Sequence, residues 1–125
     1  MMKRGESFDD LRTKLFKFSR ELRYAAVLDR NGRVVSGGMR KGVKSLEPKE
    51  EELRLMAHIV SESSTRETWD RYFGKTIYTI VRRENVILMV FQGKKQLIFI
   101  TAEPTFGLEK VAAIREMLGE NIQYD

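Results

Sequence analysis

The segment from residue 86 to residue 102 restricts the fold of this chain more than any other. Two short apolar runs, Val86–Phe91 and Leu97–Ile100, flank a polar turn that contains Gly93. This pattern predicts a β-hairpin. Neither run alternates polar and apolar residues, as a strand with one face in water would. We therefore expect both strands in the middle of a sheet whose two faces are covered by helices.

Three amphipathic segments can supply those helices. The first begins at the N-cap residue Ser7 and carries one apolar stripe, formed by Phe8, Leu11, Leu15, Phe18 and Leu22. The second begins at Pro48, a residue that suits the first turn of a helix, and carries several glutamates at its positive end. The third runs from Leu108 to Leu118 and stops at Gly119.

Three further segments are typical of strands. Tyr24–Leu28 is an apolar run, and Asn31-Gly32 behind it predicts a hairpin with a type I′ turn. The returning strand, Arg33–Gly37, is short and ends in glycine, which suits a sheet edge. The segment Thr76–Val81 has mixed polarity and is predicted to be an outer strand.

The apolar runs decide how the five strands join. The three most apolar strands belong in the middle, and the other two belong at the edges. The result is an α/β fold of the α+β type with three layers, α-β-α, and the topology αββαβββα. Its five-stranded antiparallel sheet has the order 2-1-5-4-3. The first and last helices are expected on one face and the second helix on the other.

The apolar arc of the second helix is wider than one sheet contact needs. Leu53, Met56, Ala57 and Val60 are predicted to form one face of the helix, while Leu55 and Ile59 lie on an adjoining face. A helix with two apolar faces is buried on two sides. The second side could meet the rest of the same domain, but few elements remain to cover it. We therefore favour the same helix of a second copy.

Composition places the chain among globular proteins. Its 125 residues, 42% of them hydrophobic, fit a single domain over residues 1–125 with a core at about 8–118. The N-terminus has no apolar run behind its charges, and the longest apolar run in the chain has six residues, so neither a secretory signal nor a transmembrane segment is expected. Together with the absence of cysteine, this favours a cytoplasmic protein.

Positive charge is concentrated in the first third of the chain. The net charge is +5, and the loop between Met39 and Leu46 combines Gly42 with the cations Arg40, Lys41 and Lys44. Glycines and cations together can hold an anion, so this loop is the best anion-binding candidate, although an ordinary surface loop is the simpler interpretation. Nucleic acid is a weaker hypothesis, since no recognised motif accompanies the basic residues.

Catalytic and metal-binding chemistry find little support in the sequence. There is no cysteine, and the one histidine, His58, has no neighbours at the spacing of metal ligands. We therefore expect no enzyme, no metal and no cofactor. The aromatic residues Trp69, Tyr72 and Phe73 could anchor a partner protein, but we favour a role in capping one end of the core.

The order of these elements resembles the Roadblock/LC7 family within the profilin-like folds. The resemblance covers about Phe8 to Leu118 and is carried by the first hairpin, with its aliphatic strand and Asp29-x-x-Gly32 turn, the long second helix and the three-strand meander. Gly107-Leu108 opens the closing helix, where family members commonly have Leu before Gly.

The resemblance implies a homodimer that acts as a scaffold or as a regulator of a small Ras-like GTPase. The second helices and third strands of two copies would meet, which assigns the interface to Leu55, Met56, Ile59, Thr76, Tyr78 and Ile80. The family offers no active site to carry over. A small-molecule sensor is the alternative, because profilin-like folds are similar in shape to PAS domains.

Overall fold

The computed structural model describes residues 7–119, which form a five-stranded antiparallel sheet with helices on both faces. The strands are β1 (Leu22–Leu28), β2 (Val34–Met39), β3 (Tyr78–Arg82), β4 (Ile87–Gln92) and β5 (Leu97–Ala102). Their order is β2-β1-β5-β4-β3, with β2 and β3 at the edges, so the strand order predicted from the apolar runs is confirmed.

Four helices accompany the sheet. They are α1 (Phe8–Phe18), α2 (Lys49–Arg66), the short α3 (Asp70–Phe73) and α4 (Val111–Leu118). Single 3₁₀ turns, Glu67–Trp69 and Leu108–Lys110, precede α3 and α4.

Helix α1 begins where its capping residue, Ser7, predicts. The side chain of Ser7 accepts a hydrogen bond from the backbone N–H of Asp10 at 3.2 Å, and two aspartates lie in the first turn. The helix ends at Phe18, and Leu22 is already the first residue of β1. The predicted apolar stripe was therefore one turn too long, and Phe18 at its end is exposed.

The β1–β2 hairpin forms as expected, but its turn is not of type I′. All described residues with positive φ are glycines, so Asn31 does not adopt the conformation that a type I′ turn needs, while Gly32 has a φ of 82°. Instead the carboxylate of Asp29 accepts hydrogen bonds from the N–H groups of Asn31 (2.8 Å) and Arg33 (3.0 Å). The aspartate side chain thus stabilises a longer turn.

The sheet separates two hydrophobic clusters. The larger one lies under α1 and α4 and includes Phe8, Leu15, Met89, Phe91 and Ile114. The smaller one lies under α2 and includes Tyr24, Ala26, Met56, Ile59 and Phe99. The first and last helices thus cover one face and the second helix the other, as the uninterrupted apolar runs predict.

Candidate protein interface

One helix cannot cover the whole second face of this sheet. Strands lie about 4.8 Å apart, so five strands span about 19 Å, whereas a helix with its side chains is about 10 Å wide. Helix α2 packs on β1 and β5 through Met56 and Ile59. The β4 and β3 residues of this face, among them Leu88, Val90 and Val81, are covered only in part. About half of the second helical layer is therefore empty beside β3.

A cleft of about 220 Å³ lies in this half-empty layer. Its lining includes Leu55 and Ile59 of α2, Thr79 and Val81 of β3, and Leu88 of β4. The apolar side chains form its floor, and His58, Glu62, Arg66 and Arg83 contribute polar groups around them. The arrangement is a groove between α2 and β3 that opens at the edge of the sheet. Another helix could bind in this groove.

The positions of the α2 side chains correct the predicted assignment of its faces. Met56 and Ile59 are the residues that pack on the sheet, with only 2% and 7% of their surfaces exposed. Leu53 was predicted to share a helix face with Met56 but is 77% exposed, on the side of the helix next to Val34 of β2. Leu55 is half-buried at the cleft, so it is the most accessible of the three predicted α2 contacts; Ile59 also lines the cleft but is almost fully buried.

The predicted β3 interface residues, Thr76, Tyr78 and Ile80, do not line the cleft. Strand β3 pairs only with β4, and its register places Tyr78 opposite Phe91 and Ile80 opposite Met89, both in the cluster under α1 and α4. Thr76 precedes the strand. The α2 face of β3 carries Thr79 and Val81 instead. The predicted strand was thus shifted by up to two residues, but its place at the sheet edge is confirmed.

A larger cavity, of about 690 Å³, lies at the N-terminal end of α2. Its apolar wall is formed by Tyr24, Met39, Leu55, Met56, Leu88 and Phe99, and its rim includes Arg23, Glu47 and Arg83. Burial raises the pKa of Tyr24 to about 12, and the negative charges of Glu52 and Glu47 act in the same direction. The phenol therefore keeps its proton at neutral pH and can donate it in a hydrogen bond.

The predicted anion-binding residues separate in the structure. The Arg40 guanidinium donates hydrogen bonds to the carbonyl oxygens of Leu22 (2.7 Å), Phe16 (2.9 Å) and Ser19 (2.5 Å). It also lies 4.6 Å from the centre of the Phe16 ring, and its burial lowers its pKa. Arg40 thus holds the end of α1 to the sheet and offers little to an external anion, while Lys41 and Lys44 are exposed cations.

His58 lies on the surface, as predicted. Its Nε2 atom is 2.8 Å from the Glu62 carboxylate, one turn along α2. Between residues 7 and 119, no three or more histidine, cysteine or acidic side chains come together as a group that could hold a metal ion. No helix in the same range is long and apolar enough to cross a membrane.

The aromatic residues after α2 do not cap the core, so this prediction was wrong. Trp69, Tyr72 and Phe73 are all exposed, and 83% of the surface of Phe73 is exposed. The helical segment that carries them ends at Phe73, and the φ of the following Gly74 is 79°. Nothing in the sequence indicated this exposure, because Trp69, Tyr72 and Phe73 have the i, i+3, i+4 spacing of a single apolar helix face.

Comparison with protein families gives one match, and it covers almost the whole chain. Residues 6–124 match a model described as a family of unknown function, DUF6659. No curated protein matches the sequence.

Solved structures share the fold at low sequence identity. A structure described as MglB with tetrameric arrangement superposes with a TM-score of 0.72 and 18% identity over 86% of this chain and 79% of that one. The gliding protein MglB from Thermus thermophilus gives 0.71 and 17%, over 88% and 84%. A Roadblock/LC7 domain from Streptomyces avermitilis gives 0.64 and 17%, over 90% and 88%. The resemblance to the Roadblock/LC7 fold is thus confirmed.

Proposed function

We propose that this chain, which belongs to the DUF6659 family of unknown function, is a non-enzymatic interaction module that works as a homodimer. The observation that carries the proposal is the half-empty helical layer between α2 and the edge strand β3. A second copy, related by a two-fold axis, would place its own α2 in that space. The two β3 edges would then join into one continuous sheet, because an unpaired edge offers free backbone groups to another strand.

The charges of α2 support an antiparallel pairing of the two helices. Glu50, Glu51 and Glu52 lie in its first turn and Arg66 in its last. In an antiparallel pair Arg66 of each helix lies beside the acidic first turn of the other, and the two-fold axis repeats that contact. Leu55 and Val81, both in the lining of the cleft, would provide the apolar part of the contact.

Mutation of the cleft tests the dimer. We expect the wild-type chain to behave as a dimer in size-exclusion chromatography with light scattering at tens of micromolar. Leu55→Glu and Val81→Glu should each shift it to the monomer mass, since a charge would be buried without a partner. Leu53→Glu is the matched control, because Leu53 lies on the same helix, is more exposed and points away from the cleft.

A monomeric wild-type chain, or a dimer that survives both cleft substitutions, would overturn this part of the proposal. Ile59 is unsuitable as a test, because it is buried in the core of its own chain and a charge there would unfold the protein.

The partner we propose for this dimer is a small Ras-like GTPase, in the cytoplasm. The likeness to Roadblock/LC7 and MglB structures supports this, although at 17–18% identity the likeness itself is one of fold. The test is to capture partners of the immobilised chain from its native cell and identify them by mass spectrometry. GTP hydrolysis and nucleotide release by any captured GTPase are then measured with and without the chain. Unchanged rates and no stable complex would contradict regulation.

The 690 Å³ cavity supports a second candidate function, that of a small-molecule sensor. The cavity has the size and the apolar wall of a ligand site, with the Tyr24 hydroxyl as a hydrogen-bond donor. A ligand of this site should raise the unfolding temperature of the wild type and lose affinity for Leu88→Trp, which fills the cavity. Flat melting curves across a broad metabolite library would count against this function.

A further inference from the structure

The segment from Arg71 to Tyr78 combines exposed apolar residues with positive charge. Its large hydrophobic residues, Tyr72, Phe73, Ile77 and Tyr78, are exposed. Its charged residues are two cations, Arg71 and Lys75, with no aspartate or glutamate among its eight positions. An exposed apolar patch of this kind marks a site of interaction. Its charge indicates that the other surface is negative.

The most exposed apolar residues of this segment lie at the end of α3. Phe73, with 83% of its surface exposed, is the last residue of α3, and Tyr72 beside it is exposed as well. The guanidinium of Arg71 lies 4.9 Å from the centre of the Tyr72 ring. We call Trp69, Tyr72 and Phe73 the aromatic tip.

A cationic cleft of about 330 Å³ lies next to the aromatic tip. Four basic side chains from four separate parts of the chain line it, namely Arg30, Lys75, Lys94 and Arg115, against two acidic ones, Glu67 and Asp70. Arg30 is paired with Glu67 at 2.6 Å. Among residues 7–119, no carboxylate forms an ion pair with the side chains of Lys75, Lys94 or Arg115. The cleft therefore has an excess of positive charge that a phosphate would neutralise.

The aromatic tip and the cationic cleft are continuous. Lys75 follows Phe73 after a single glycine, and Lys75, Thr76 and Ile77 all line the cleft. A ligand with a negative head and an apolar body could therefore occupy both at once. We propose that the aromatic tip and the cationic cleft bind the surface of an anionic phospholipid membrane. A lipid phosphate would lie in the cleft and the rings would lie among the lipid headgroups.

The shape of the tip favours a membrane over an acidic protein. About four-fifths of the surface of Phe73 is exposed, so its side chain can insert among lipid headgroups without a preformed site. A protein partner would need a pocket that matches the side chain. Tyrosine and tryptophan rings prefer the boundary between lipid and water, and lysine and arginine beside them attract anionic lipids. A few rings and cations give reversible binding, without a spanning helix.

Cosedimentation with lipid vesicles tests the proposal. The wild-type chain should bind vesicles of phosphatidylcholine mixed with phosphatidylserine at least about tenfold more tightly than vesicles of phosphatidylcholine alone, because several cations face the membrane. The double variant Tyr72→Ser/Phe73→Ser should lose most of this binding. Leu53→Ser is its control, since Leu53 is similarly exposed but lies at a distant site on α2 and should leave binding unchanged.

The charge of the cleft is tested in the same assay. Lys75→Glu/Lys94→Glu should weaken binding by about tenfold or more, whereas Lys41→Glu/Lys44→Glu, which reverses two exposed cations elsewhere, should have a smaller effect. All four variants replace exposed or half-exposed residues, and unchanged unfolding temperatures would show that they are folded.

Three results would overturn the proposal. The first is equal binding to neutral and anionic vesicles. The second is a chain that does not bind vesicles but is stabilised against unfolding by inorganic phosphate or by an acidic protein through the same residues. The ligand would then be a soluble anion or a protein. The third is vesicle binding that survives both the tip and the cleft variants. None of these results depends on whether the chain is a dimer.

Discussion

At the scale of single residues, Arg40 serves the fold where an anion-binding role was predicted. Its guanidinium satisfies the carbonyl oxygens of Phe16 and Ser19 at the end of α1 and that of Leu22 at the start of β1. The last carbonyl groups of a helix have no partner within the helix, so a cation at this point completes their hydrogen bonding. A linear sequence gives no sign of this, because the bonded residues lie about 20 positions away.

Replacing Arg40 should therefore cost stability. We expect Arg40→Ala to lower the free energy of unfolding by about 2 kcal/mol, since three carbonyl groups lose a charged donor. Urea denaturation would measure the change. Lys41→Ala, at the exposed neighbouring position, should stay within about 0.5 kcal/mol of the wild type. Equal effects at the two positions would contradict the structural role of Arg40.

Because of Tyr24, the free energy of unfolding should depend on pH in the alkaline range. Its pKa is about 12 in the folded chain, above the value of about 10 for an exposed tyrosine, so the folded state binds the proton more tightly. This contribution is complete below pH 10 and is lost as the pH rises from about 10 to about 12, with a total of about 3 kcal/mol.

Comparison with Tyr24→Phe isolates the effect of the phenol. Lysines titrate in the same range, but they do so in both proteins. The difference in unfolding free energy between wild type and variant, measured from pH 9 to pH 12, should therefore change in favour of the variant. A constant difference would show that the pKa of Tyr24 is ordinary.

At the scale of elements, Gly37 shows how closely β2 lies against β1, and Gly42 in the loop after β2 serves as a comparison. Gly37 and Gly42 both have positive φ, of 108° and 83°. A Cβ atom on Gly37 would overlap the carbonyl oxygen of Ala25 and lie 2.6 Å from the Cα atom of Ala26, whereas one on Gly42 would meet nothing within 4 Å. The two positions thus share the conformational cost of a side chain and differ in the space for it.

The pair offers a matched test of strand packing. Gly42→Ala should lower the free energy of unfolding by about 1 kcal/mol, which is the cost of the backbone conformation alone. Gly37→Ala should lower it by about 3 kcal/mol or more, because β2 must move away from β1. Chemical denaturation of both variants measures the difference. Equal losses would mean that the β1–β2 contact is loose.

The helices show where sequence reasoning reached its limit. The existence, order and approximate ends of α1, α2 and α4 could be predicted, because each carries apolar residues at helical spacing. The side of α2 that faces the sheet could not be predicted. Its apolar arc includes six residues, and periodicity does not say which part of a wide arc meets the sheet. The aromatic tip was misplaced because three aromatic residues at i, i+3 and i+4 form one helix face, a pattern that usually indicates burial.

At the scale of the whole molecule, the strand order followed from a single physical rule. Strands without alternation need cover on both faces, which placed β1, β4 and β5 in the middle and left β2 and β3 for the edges. The half-empty layer beside β3 could not be foreseen, because it depends on which strands α2 covers. That depends on packing between residues far apart in the chain.

The proposed dimer also predicts how thermal stability responds to concentration. If α2 and β3 are completed by a second copy, association stabilises the folded state, and the unfolding temperature should rise as the protein concentration is increased. Calorimetry over about a hundredfold range of concentration would show this for the wild type and for Leu53→Glu. The curve for Leu55→Glu should be flat. A flat curve for the wild type would mean that the folded chain needs no second copy.

The two edges of the sheet differ in a way that bears on aggregation. Strand β2 is irregular, because its register with β1 shifts between Val27 and Leu28 and because Gly37 and Gly38 have positive φ. Strand β3 pairs with β4 in an unbroken register. A bulged, glycine-containing edge is a poor template for another strand, whereas a regular edge is a good one. If only one of the two edges can pair with a strand of another chain, assembly ends at the dimer. This sheet could therefore form dimers without starting a fibril.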